Sequence, residues 1–204
     1  MTSSSATSST LPGLTGGPKA TPDDILLASV ASTGSVGAFE TLVERYSRRV
    51  YALIVRIVGS GADAEELTQD VMMRVFDRAA AFDGRSAVGT WIFRIAYNMA
   101  IDHTRREQRR ADRPQGNEQS DILADRAAES DADDPMVDVL EEALRTLPPS
   151  DRALITLYYY DGHPVAEIAE ITHMSQSNVK VRLMRLRDRL RTAITTLSTS
   201  PSAL

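Results

Sequence analysis

The sequence predicts an all-α protein: two small helical domains joined by a flexible acidic linker, the C-terminal one a helix–turn–helix. Three observations lead there. Apolar residues recur at spacings of three and four in each segment able to build a core. No segment shows a convincing strand pattern. Charge is sorted along the chain: Gln115 to Glu142 carries ten acidic residues against Arg126, whereas Met174 to Thr192 carries six cations against Asp188. The net charge of −5 hides that division, and the division says more about partners than the sum does. A chain of 204 residues that is 42% apolar has room for one large or two small cores.

The elements follow in order. Residues 1–22 are Ser, Thr, Gly and Pro with almost no charge, a composition too polar to order itself, and are read as a disordered tail. Pro22-Asp23-Asp24 opens an apolar stretch, Ile25 to Val30, with its acids at the positive end of the helix dipole. From Gly37 to Val58, Phe39, Leu42, Val43, Tyr46, Val50, Leu53, Ile54 and Ile57 form a helical stripe. Gly59-Ser60-Gly61 stops it. Asp63 then stands as N-cap of a capping box with Glu66. The helix it starts turns Leu67, Val71, Val75 and Phe76 inward and Gln69, Asp70, Met73 and Arg74 elsewhere. Phe82-Asp83-Gly84-Arg85-Ser86 is turn chemistry. Trp91, Ile92, Ile95, Ala96, Met99 and Ile101 line the next helix, which runs into Arg105, Arg106, Arg109 and Arg110. These four helices make one domain, 23–110.

Residues 111–134 are the acidic linker. In the second domain, 135–197, Val137, Leu140, Ala143, Leu144 and Leu147 form a stripe ended by Pro148-Pro149. Ser150-Asp151 caps a helix from Arg152 to Tyr160, broken by Asp161-Gly162. Pro164 takes the first position of a short helix, Val165 to Ile171. After Thr172-His173-Met174, Ser175 caps a last helix reaching about Leu197. Residues 198–204 form a second disordered tail.

The composition also excludes classes. Without cysteine there is no disulfide, thiol nucleophile or Cys-ligated metal. With three histidines a multi-His centre is not expected, and no metal or cofactor is assigned. No run approaches the roughly 18 apolar residues of a membrane span, and the N-terminus lacks a basic start followed by an apolar stretch, so a cytoplasmic protein is expected. Asp63, Glu65, Glu66 and Asp70 lack a His partner, and Asp102-His103 lacks a nucleophile, so no catalytic residue is assigned.

Two constellations point to nucleic acid. In the last helix Val179, Leu183, Leu186 and Leu190 fall within about 60° of one another and pack inward. Ser177, Lys180, Val181, Met184, Arg185 and Asp188 project over the opposite side, with Arg182 and Arg189 nearer the flank. Cations with apolar tips suit a major groove, where they meet phosphates, guanine edges and thymine methyls. A solvated face of a bundle helix has the same pattern. The short preceding helix favours DNA, because its Ala169 permits the close crossing of a helix–turn–helix. In the first domain Trp91, Phe93 and Tyr97 precede Arg105, Arg106, Arg109 and Arg110, a pairing that suits unpaired bases and phosphates or, equally, a core followed by a well-terminated helix.

The whole pattern resembles the extracytoplasmic-function (ECF) sigma factors of the sigma-70 family over about residues 23–195. Phe39–Tyr46 through Arg56–Gly59 is similar to sigma region 2.1, and Asp63–Val71 through Arg74–Phe76 to region 2.2. Phe82–Arg85, Thr90–Asn98 and Ile101–Arg106 resemble regions 2.3 and 2.4. Leu147–Arg152 through Leu190 resembles region 4. The chain departs from the common pattern at Pro164, at Ser177-Asn178-Val179 and at Val181, so the −35 sequence read by relatives is not carried over.

The resemblance implies a promoter-specificity subunit without catalysis of its own. Core RNA polymerase would be met by Asp63, Glu66, Leu67, Gln69, Asp70, Val71 and Arg74. The Phe82–Gly89 loop (Phe82, Asp83, Gly84, Arg85), with Trp91, Arg94, Asn98, Arg105 and Arg106, would hold the single-stranded −10 element, where extruding a base costs a few kcal/mol that stacking and hydrogen bonding offset. Ser175, Ser177, Asn178, Lys180, Val181, Arg182, Met184 and Arg185 would read the duplex −35 element. An anti-sigma factor is an expected further partner. The alternative is a stand-alone helix–turn–helix transcription regulator that binds duplex DNA without polymerase.

Overall fold

The computed structural model describes residues 21–112, 140 and 142–199. Seven α-helices carry those residues: α1 (Pro22–Thr33), α2 (Val36–Val58), α3 (Gly61–Arg78), α4 (Val88–Ala111), α5 (Pro149–Ile155), α6 (Val165–Thr172) and α7 (Gln176–Thr199). A 3-10 turn (Ala79–Ala81) follows α3, a π-helical turn (Thr156–Tyr160) follows α5, and 142–145 add a short helical piece before α5. No strand occurs among the described residues, as the periodicity predicts.

Helix starts follow the expected local chemistry at some ends and depart from it at others. Thr21 caps α1 in a full capping box with Asp24, and Pro22 occupies its first turn, so the last two residues of the predicted tail belong to the helix and its cap. Ser35 and Ser60 cap α2 and α3. The α3 cap is therefore Ser60 rather than Asp63. Ser60 Oγ accepts from the Asp63 amide at 3.3 Å, which places Asp63 inside the first turn, where its charge still complements the dipole. Gly59, at φ 83°, ends α2 in the left-handed conformation and leaves Ser60 extended to begin α3. Ser175 Oγ accepts from the Asn178 amide at 3.2 Å, as predicted for the last helix.

The predicted helix from Arg152 to Tyr160 instead starts at Pro149, and no side chain caps it. Ser150 and Asp151 lie within its first turn, and Asp151 turns to α7. The helix then widens into the π turn, where the Asp161 amide donates to Thr156 O at 3.0 Å. Pro164 is the N-cap of α6 rather than its first residue. At the end of α6, His173 takes φ 58°, a left-handed position that costs a non-glycine residue about 1–2 kcal/mol. The stretch 113–139 and residues 1–20 lie outside the described residues, and with them the body of the acidic linker.

The first four helices close around Leu42, Val50, Leu53, Ile54, Ile57, Val71, Val75, Ile92, Phe93 and Ala96, all at or near complete burial. Asp23 of α1 accepts from the Tyr46 hydroxyl and pairs with Arg45, which ties α1 to α2. The second group packs Leu154, Leu157, Ile168, Ile171, Val179, Leu183 and Leu186 together.

The two groups also pack on each other, α4 against α6 and the end of α2 against α5. Arg152 reaches across and donates to the carbonyls of Arg56 and Ile57, the latter at 2.7 Å. Arg49 pairs with Asp161 at 3.2 Å, and His163 meets the edge of Phe93 with centroids 4.8 Å apart. These contacts tie the helix–turn–helix to the first four helices through charge and helix-end hydrogen bonds as much as through apolar burial.

Candidate nucleic-acid interface

The outer face of α7 is built by the period of its sequence. Val179, Leu183 and Leu186 are buried against α5 and α6, which leaves Ser177, Asn178, Lys180, Val181, Met184 and Arg185 exposed. Val181 and Met184 are 41% and 52% exposed and stand among the cations. Lys180 and Arg185 have no ion-pair partner among the described residues. Ser175, at the N-terminus of the same helix, is exposed as well. Arg182 is the exception: its guanidinium turns back toward α5, where it pairs with Asp151 and donates to Ser150 Oγ at 3.1 Å.

The second group of predicted residues surrounds the loop between α3 and α4. Asp83 Oδ1 accepts from the Arg85 amide at 3.1 Å across Gly84, which sits at φ 70°, so the loop is a tight turn that glycine allows. Phe82 packs on Trp91 with centroids 5.4 Å apart. Trp91 is 8% exposed, and Phe93 and Tyr97 are buried with it. Trp91 thus braces the loop, whereas Phe93 meets His163 and Arg49 instead; Asn98 and Arg94 carry the polar surface. Burial raises the pKa of the Tyr97 hydroxyl and keeps it neutral. Arg105 and Arg106 stay exposed about two turns beyond Asn98 along α4. Asp102 holds both, through its carboxylate at 3.7 Å from Arg105 and its carbonyl at 3.2 Å from Arg106.

This second surface faces the helix–turn–helix. Asn98 Nδ2 and His173 Nε2 are 3.3 Å apart in a hydrogen bond. A cavity of about 400 Å³ opens between Asp83, Arg85, Ser86 and Arg94 on one side and Ala169, Glu170, His173 and Met174 on the other. Residues from α6 and its turn therefore join the loop and α4 in one site. No local sequence signal could have found that juxtaposition, because the partners are about 75 residues apart.

The third surface is α3. Glu66, Gln69, Asp70 and Arg74 are exposed along one side, whereas Asp63 is half-buried. Leu67 and Val71 are 6% and 0% exposed and hold the helix from behind instead of standing beside the polar residues. Met73, 57% exposed, lies in the middle of the polar face, seven residues after Glu66 and four after Gln69. That helical spacing was the available signal for Met73, which the sequence reading left off the docking set. Among the described residues no cluster of three His, Asp or Glu side chains is placed to hold a metal ion, and no helix is long and apolar enough to cross a membrane.

Comparison with known proteins follows the same division. Residues 42–110 match the family model described as sigma-70 region 2, and residues 138–190 the one described as sigma-70, region 4. The ECF RNA polymerase sigma factor SigW of Bacillus subtilis is 30% identical over 78% of this chain and 89% of its own length. The RNA polymerase sigma-H factor of Pseudomonas aeruginosa is 27% identical, with 84% of this chain and 93% of the relative covered. Among solved structures, the sigma factor RpoE in complex with the anti-sigma factor NepR from Bartonella quintana superposes with a TM-score of 0.66 at 22% identity, over 78% of this chain and 98% of that one. CnrH, solved with the cytosolic domain of CnrY, gives 0.62 at 22% identity over 85% and 97%. These two likenesses establish the all-helical fold. With both sigma-70 regions matched in order and a relative of this identity aligned over most of its length, the chain belongs to the ECF RNA polymerase sigma factors of the sigma-70 family.

Proposed function

We propose that this sigma factor divides its work among three surfaces, two for the promoter and one for core polymerase, and performs no catalysis itself. The α7 face of Lys180, Val181, Met184 and Arg185, with Ser175, Ser177 and Asn178 at its start, reads the −35 duplex. The Phe82–Arg85 turn, with Arg94 and Asn98 above the Trp91 floor and Arg105 and Arg106 for the phosphates, holds the unpaired −10 strand. The polar side of α3 docks on core RNA polymerase, with Met73 supplying its apolar centre. An anti-sigma factor, as in the RpoE–NepR pair, is the expected regulator, and the work is done in the cytoplasm where polymerase meets the chromosome.

The observation that carries the reading is the outer face of α7, where cations without ion-pair partners among the described residues flank two exposed apolar tips. Val181 and Met184 among these cations match thymine methyls beside phosphates, as a helix–turn–helix second helix would meet them in a major groove. The bond to His173 uses one donor of the Asn98 amide, so its other donor and its carbonyl remain for a base edge.

Run-off transcription with the full chain and core polymerase on genomic fragments, followed by mapping of the start sites, tests the whole proposal. Discrete starts that depend on the chain are expected. Duplex binding without any polymerase association would point to the stand-alone regulator instead.

A further inference from the structure

We infer that Arg182 is a positioning residue, which sets the angle of α7 through Asp151 and does not itself touch DNA. The inference rests on α7 being the duplex-reading helix. Arg182 shares that helix with Lys180 and Met184 but lies about 160° around it from each. Its guanidinium pairs with Asp151 Oδ1, donates to Ser150 Oγ at 3.1 Å, and approaches Met174 Sδ at 3.6 Å. The arginine thereby joins three pieces of the module: the first turn of α5, the turn before α7, and α7 itself.

Asp151 is built for this pairing. It is 8% exposed, at the start of a helix that no side chain caps, and its second oxygen lies 4.0 Å from Arg189. Arg182 and Arg189 are two helical turns apart on the same flank of α7, so one carboxylate receives both. A planar guanidinium with donors in a fixed fork suits such a crossing, and a lysine point charge does not. An arginine whose two terminal nitrogens already bond within the protein has little left for a phosphate. Lys180 and Arg185, which have no such partner, are the contacts.

Duplex affinity across a salt series decides the matter, with a DNA fragment carrying a start site mapped as above and the holoenzyme formed by the full chain. Loss of a phosphate contact lowers the slope of log K against log salt by about 0.9, whereas loss of alignment weakens binding at unchanged slope. Arg182→Gln and Asp151→Asn are each expected to weaken binding about tenfold or more with the parent slope. The double variant should be no weaker than Asp151→Asn alone, because that substitution already removes the Arg182 link together with the Arg189 one. Arg182→Lys should behave like Arg182→Gln. Lys180→Gln should reduce the slope. The proposal is overturned if Arg182→Gln lowers the slope while Asp151→Asn, or Arg182→Lys, binds like the parent. Should circular dichroism show Arg182→Gln unfolded, Arg182→Lys and Ser150→Ala decide between the same two outcomes. If Lys180→Gln, too, binds as the parent does, the duplex-reading role of α7 falls and the proposal with it.

Discussion

Replacing Arg152 with Met should uncouple the two helical groups. The guanidinium donates to Ile57 O at 2.7 Å and to Arg56 O at the end of α2, and to Leu147 O at 2.8 Å and Arg145 O at 3.3 Å in its own group. Burial lowers its pKa from the usual arginine value, yet it stays cationic at the negative end of the α2 dipole. A hydrogen bond to a charged group contributes about 1.5–3 kcal/mol, and the methionine keeps most of the stem packing. Two of the four bonds cross between groups and water can reach part of the site, so a net loss of about 3 kcal/mol is expected. For a chain of this length that corresponds to a fall in Tm of about 6–12 °C. Urea unfolding followed both by fluorescence of Trp91, the single tryptophan, and by circular dichroism gives the measurement. Trp91 reports the first four helices and circular dichroism reports all of them. The two transitions should coincide in the parent and separate in the variant. A loss below about 0.5 kcal/mol, with transitions still coincident, would refute the reasoning that these bonds couple the groups.

Three other outcomes follow from the same geometry. Glu66→Lys combined with Gln69→Ala should weaken the affinity for core polymerase in a pull-down titration while duplex binding persists, and equal affinity would remove α3 from the docking surface. In Gly89→Ala the added Cβ would stand 3.1 Å from Tyr46 Oη and 3.2 Å from its ring; because Asp23 holds that hydroxyl, the strain should outweigh the roughly 1 kcal/mol that alanine gains over glycine in a helix, and urea unfolding should show a net destabilisation. Burial raises the pKa of Tyr46 and Tyr97 above the ordinary value, so each contributes stability that is intact below about pH 10 and lost as pH rises through the higher folded value. Urea midpoints measured from pH 8 to 11 should fall at the alkaline end, and Tyr97→Phe should flatten the fall.

Most helices were legible because their causes are local. The stripe from Phe39 to Ile57 and the run Val179, Leu183, Leu186, Leu190 are set by residues a few positions apart, and their inward faces are buried as their spacing predicts. The Ser175 cap needed only its neighbours. The misplaced starts have separate causes. Asp63 and Ser60 are both good caps three residues apart, and only the backbone, extended at Ser60, chooses between them. Asp151 looked like part of a cap because that is what Asp commonly does before a helix; two arginines of α7 outcompete the amides.

The pattern of residues alone established an all-helical chain, the cationic outer face of α7, the turn at Asp83-Gly84 and the polar side of α3, since each depends on interactions within a turn or two of helix. Folding in three dimensions assigned the partners: Arg182 to Asp151, Asn98 to His173, Arg152 to the end of α2, and Trp91 to a floor beneath the loop. Those pairings join residues that are far apart along the chain, where many combinations of charge and shape would satisfy the same sequence. Packing selects one of them, because a half-buried arginine must find acceptors on whichever element the core brings within reach.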